Sequence, residues 1–229
     1  MLNQREIIQR SVRNVLLIFE DVRQILRIVD DSMMKMGLAS TYGNVVTWDT
    51  SAKLEASSSW LYRWFARAYS RDDQPDIVVG LTINLDAEPT NCEALYTRLG
   101  VEVPAISVSK LKLDEPYQRW RPPRLVLDAL WDAAWHADIR AHHAVQDRLI
   151  RFTVRIGDRT AEATTYYVDF LSLTNKSEVE RLIAEPMRRM WEGADDWVIT
   201  HGIEAIELKE RSQADVATTR DVAGTASME

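Results

Sequence analysis

Ile8, Val12, Val15, Phe19, Val22, Leu26, Val29, Met33 and Met36 follow one another at steps of four and three residues without a break. That spacing keeps nine apolar side chains on one stripe of an α-helix, and Gly37 stands where a helix commonly ends in a glycine. A helix from Gln4 to Met36 is therefore predicted, roughly 50 Å long at 1.5 Å per residue. Leu16, Ile18 and Ile25 widen the stripe. Val15, Val22 and Val29 also occupy the positions where a parallel two-stranded coiled coil prefers leucine, so the face suits burial against several neighbours better than a simple zipper.

Further on the pattern changes repeatedly. Leu54, Leu61, Phe65 and Ala68, with Trp60 and Trp64 beside them and Arg63, Arg67 and Arg71 four apart, predict a second helix over residues 51 to 69, closed by Pro75. Residues 77 to 85 (IVVGLTINL) read as a buried strand, 90 to 99 as a short helix ending at Gly100, and 106 to 113 (ISVSKLKL) as a strand with one wet face. Pro122 and Pro123 make residues 117 to 124 a loop. Leu125, Leu127, Leu130, Trp131 and Trp135 predict a helix running on to about Gln146, unless its polar second half is extended. Residues 150 to 156 and 161 to 173 alternate on either side of Gly157-Asp158, which predicts a β-hairpin. Ser177 to Glu180 reads as a capping box opening a helix that Pro186 bends and Gly193 ends, and residues 203 to 208 suggest a closing strand.

The class this order predicts is α+β: a long amino-terminal helix and a mixed sheet of four to five strands that includes a hairpin, with helices packed on it. The helix (1–37) and the body (38–210) form one unit, followed by a polar, aperiodic tail (211–229) read as flexible.

The net charge is −7 and no basic domain exists, which disfavours a general nucleic-acid coat. Cys92 is the sole cysteine and the first residues lack a continuous apolar core, so a reducing, cytoplasmic location and no membrane partner are expected.

Candidate chemistry is sparse. Asp132, His136, Arg140 and His143 would share one face of a continued helix, with His142 adjacent, but a protonated arginine in that row argues against a metal. Pro75-Asp76 before a strand resembles the opening of restriction-type nucleases, which need an acidic-x-lysine on the adjacent strand. That strand offers Ser107-Val108-Ser109-Lys110 instead, and Glu207-Leu208-Lys209 has the letters far along the chain. YQRWRPPR interleaves Arg119, Arg121 and Arg124 with Tyr117 and Trp120, as single-strand binders do. No metal or cofactor is expected.

The leading expectation is association with copies of itself or with another protein, by way of the stripe from Ile8 to Met36 and the loop residue Trp120. An Mg²⁺-dependent enzyme on nucleic acid or phosphate esters and a single-strand nucleic-acid binder are the alternatives.

Overall fold

A computed structural model of the chain describes residues 3–43, 64–85, 99–101, 104–120, 124–136, 144–146 and 148–208. Helix α1 spans Gln4–Lys35. Asn3 caps it by accepting from the Glu6 N–H at 2.9 Å while Glu6 reaches back to the Asn3 N–H, a reciprocal box that satisfies two free donors. At the other end Gly37, at φ 75°, turns the chain so that its N–H meets the Met34 carbonyl and the Leu38 N–H meets that of Met33.

The strands are β1 (Ala39–Ser40), β2 (Trp64–Arg71), β3 (Gln74–Asn84), β4 (Ala105–Leu113), β5 (Ala144–Gln146), β6 (Leu149–Ile156) and β7 (Arg159–Asp169). They form one sheet in the order β1-β2-β3-β4-β7-β6-β5, and every pairing is antiparallel. The α+β class, the long first helix and the Gly157-Asp158 hairpin are as expected. Among the described residues the sheet is larger than the predicted four to five strands and has no parallel pairing. Helices cover both faces, making three layers.

Two predicted elements are different in kind. Trp64 to Tyr69 belong to β2, not to a second helix, and β2 turns into β3 through Asp72-Asp73, with Arg71 paired to Gln74. Pro75 lies at the start of β3, outside the paired ladder with β4, where its missing N–H costs nothing. Helix α2 (Arg124–Trp131) passes at once into a π-turn, Asp132–His136, and the chain is extended by β5, so no helix runs to Gln146. Residues 90 to 98 of the predicted helix at 90 to 99, with Cys92 among them, lie outside the described residues, as do residues 51 to 63 and the tail from 211.

The cap near residue 177 sits two residues earlier: Asn175 accepts from Glu178 N–H at 3.1 Å, and α3 (Lys176–Val179) leads through a π-turn, Glu180–Ala184, into α4 (Glu185–Trp191). The π-turn opens the helix just ahead of Pro186, whose ring would otherwise crowd the preceding turn. Pro186 has no N–H for the Leu182 carbonyl four residues back, and the buried Tyr166 hydroxyl donates to that oxygen at 2.7 Å. On the opposite face the Tyr167 hydroxyl donates to the Ala134 carbonyl, inside the other π-turn, at 2.5 Å. Residues 203 to 208 are not a regular strand, but the Ile206 N–H reaches the Tyr167 carbonyl at 2.8 Å.

One core lies between the sheet and α1, α3 and α4, with Val22, Leu26, Val29, Met33, Leu81, Ile106 and Met187 among its members. The other lies under α2, where Trp131, Trp135, Leu127 and Leu130 meet Ala66, Ala68, Phe152 and Tyr167. Its centre is lined by small and hydroxylated residues. Thr82 and Ser107 share a hydrogen bond at 2.7 Å, Ser109 and Thr165 another at 2.7 Å, and the Trp135 indole N–H donates to Thr82 at 2.6 Å. The face of β4 expected to be wet is thus mostly buried, its hydroxyls satisfying one another. Among the described residues no helix is long and apolar enough to cross a membrane.

Candidate interaction surface

The stripe on α1 divides into two halves. Val22, Leu26, Val29 and Met33 are buried in the chain's own core, with Phe19 and Met36 partly so. Those positions are structural, which corrects the expectation that the whole stripe is a contact surface. The outer half is largely uncovered. There Ile8 is 57% exposed, Val12 56% and Leu16 62%, with Ile7, Leu17 and Ile18 also in water and Val15 half-covered. The periodicity is the same in both halves, and only the covering layer stops.

The root of this arm is fixed by charge. The Asp30 carboxylate accepts from Arg67 Nε at 2.8 Å and Nη2 at 2.9 Å and from the Tyr69 hydroxyl at 2.6 Å. Arg67, 7% exposed, also donates to the Gly43 carbonyl. Burial, and then the Asp30 carboxylate, push the Tyr69 hydroxyl well above the usual phenol range, so it stays a donor. Phe19 meets Phe65 edge-on at 5.9 Å where the arm leaves the body. Next to it Glu20 accepts from Arg23 and Gln24, which hold its carboxyl at about 2 and therefore ionised.

Trp120 is not a surface contact. It is 0% exposed, because the turn at Tyr117–Arg119 folds the chain back and drops the indole into the core under α2. The same fold ties the loop down: Tyr117 and Gln118 both donate to Asp72 in the β2–β3 turn, at 3.4 and 3.3 Å. Of the arginines proposed for nucleic acid, Arg119 is exposed, Arg124 begins α2, and Arg121 lies outside the described residues. With Trp120 buried and Tyr117 packed partly against the same core, the loop offers bases no free aromatic platform of the kind expected.

The residues considered for Mg²⁺ do not meet. Ile206 is bonded to Tyr167, which is level with Ser107 and Thr82 in the sheet, whereas Asp76 stands six residues back along β3 from Thr82. That is about 20 Å at the rise of a strand, too far for Asp76 and Glu207 to share an ion. Lys209 lies outside the described residues. Among the described residues no cluster of three His, Cys, Asp or Glu could hold a metal. The histidine row is broken as well, because the π-turn at Asp132–His136 abandons the spacing of an α-helix; Arg140, His142 and His143 lie outside the described residues. In the open groove beside the root of the arm, Arg181 pairs with Glu178 at 2.6 Å, Lys176 with Glu180 at 3.6 Å and Glu185 with Arg188 and Arg189.

Asp132 is the one carboxyl of that row with a shifted equilibrium. Burial, then the Asp128 carboxylate, lift it to about 6 from its ordinary 3.8. Because the folded value lies above the unfolded one, the stability it contributes is complete below about pH 4 and lost as the pH rises through 6. The lift is equivalent to about 3 kcal/mol before solvent screening and about 1–2 kcal/mol after it at a half-buried position. Asp132→Asn should accordingly be more stable than the parent by that amount in urea unfolding at pH 8, with the advantage gone by pH 4. A difference independent of pH would mean that the carboxyl is not desolvated.

Comparison with known protein families, curated proteins and solved structures finds no match to this chain.

Proposed function

We propose that the protein works by association with protein, through the outer half of α1. The observation that supports this is the row of Ile8, Val12 and Leu16, each more than half exposed on a helix whose continuation is core. Apolar patches above a few hundred Å² are uncommon on free monomers and mark contact surfaces. A face that excludes water only when a partner is present has no other source of stability along its length, since isolated helices in water are marginal.

Size-exclusion chromatography with light scattering tests the reading. A particle heavier than the monomer, or a defined complex, is expected. Leu16→Glu should weaken the association at least about 30-fold, the effect of losing a central contact worth about 2 kcal/mol. Its thermal stability, compared at a concentration where both chains are monomeric, should stay within about 0.5 kcal/mol of the parent, because the position is exposed. An oligomer that is unchanged by Leu16→Glu would place the contact elsewhere and overturn the proposal.

A further inference from the structure

Two of the exposed apolar side chains lie away from the stripe of α1. Leu17, 54% exposed, is on nearly the opposite side of that helix, and Leu171, 69% exposed, stands on the short turn after β7. Leu171 lines a groove of about 440 Å³ whose other bank is α1, with Ile28, Phe170 and Leu173 in its walls. Leu17 falls one turn before Asp21 of that bank and extends it. At Ile28 and Lys176 the groove runs into the one that α1 forms with α3 and its π-turn. The joined trough follows α1 from Asp21 to Lys35, about 21 Å.

Most charges of the trough satisfy one another: Lys176 with Glu180, Arg181 with Glu178, and Glu185 with Arg188 and Arg189. Asp21 and Asp31 are different. Both are exposed carboxylates on the α1 bank, ten positions apart, and neither has a side-chain partner among the described residues. They bracket the apolar stretch that contains Ile28. Lys35, the other unpaired charge there, sits in the last turn of α1, where a cation offsets the helix dipole.

We infer that the trough receives an amphipathic helix of another protein, one with basic, apolar, apolar and basic residues at steps of four, three and four. Those steps keep the four side chains on one stripe, and they set the two cations about 16 Å apart, against about 15 Å between Asp21 and Asp31. Apolar anchors at such spacing are how a helix is held in a groove, while the flanking charges select it. The trough runs along the covered half of α1, so the inference stands apart from the arm.

Fluorescence anisotropy with the full chain and a labelled peptide tests it. The peptide is an alanine-rich helix of about 16 residues carrying two lysines eleven apart with two leucines between them, and its control has glutamates for the lysines. One helix in an open groove makes a small interface, so saturation at roughly 10–100 μM is expected for the lysine peptide. Leu171→Glu should weaken it at least about 30-fold, and Asp21→Lys with Asp31→Lys at least about tenfold. The doubly reversed chain should in turn prefer the glutamate peptide, which also shows that it is folded. Leu16→Glu should leave peptide binding unchanged, so a failure of the arm to associate leaves this inference standing. No saturation by about 1 mM, equal binding of both peptides by the parent, or binding that Leu16→Glu abolishes would overturn it. Binding only in step with the dissociation of a dimer would overturn it too, assigning the trough to a second copy.

Discussion

Asp30→Ala is expected to remove about 3 kcal/mol from the stability of the fold, the cost of stripping one partner from a buried ion pair. The carboxylate is the common acceptor for two guanidinium nitrogens of Arg67 and for the Tyr69 hydroxyl. Without it the Arg67 charge, 7% exposed, keeps only the Gly43 carbonyl as a described acceptor, and Tyr69 loses its own. Replacing Asp30 and Arg67 together by leucine should recover much of the loss, because the uncompensated charge is then gone. Urea unfolding of the single and double variants measures both. A loss under about 1 kcal/mol for Asp30→Ala would show that Arg67 reaches water when α1 is cut free of it.

Gly80→Ala is the second large effect, and its cause is steric. A methyl group there would lie 2.5 Å from Leu130 Cδ1 and 2.6 Å from the Arg67 carbonyl oxygen. The leucine can move, but the carbonyl belongs to β2, which is paired with β3 along this stretch. Overpacking of this kind typically costs 1–3 kcal/mol, and the backbone contact puts the value near the top, about 3 kcal/mol. A thermal melt should show a drop of roughly 6–12 °C for a chain of this size. Leu130→Ala added to Gly80→Ala should not restore the parent's stability, because the clash with the carbonyl remains.

What could be read from the residues follows from how far each pattern is local. The α1 stripe holds its period from Ile8 to Met36, and the hairpin announces itself by alternation around Gly157, so both were legible. Strand β2 was not. Trp60 and Trp64, and Arg63, Arg67 and Arg71, are spaced by four, which satisfies a helix and, being even, also keeps one face of a strand. Its turn, Asp72-Asp73, carries no glycine or asparagine to mark it. Ser107 and Ser109 read as solvent-facing, yet they are buried against Thr82 and Thr165, partners that only the sheet brings near. Trp120 shows the same limit, since a loop that folds inward has the composition of one that does not. The decisive feature of the candidate surface was likewise hidden: where the cover over α1 ends depends on a core assembled from distant residues.

Tyr166 and Tyr167 stand next to each other on β7 and so point to opposite layers. A slip of that strand by one residue brings Tyr167 into the slot of Tyr166 but Val168 into the slot of Tyr167; a slip the other way leaves Thr165 where Tyr166 should be. In either misalignment one of the two π-turns forfeits its hydroxyl donor. The doubled tyrosine thus works as a key cut on both edges, admitting β7 between the helical layers in a single alignment.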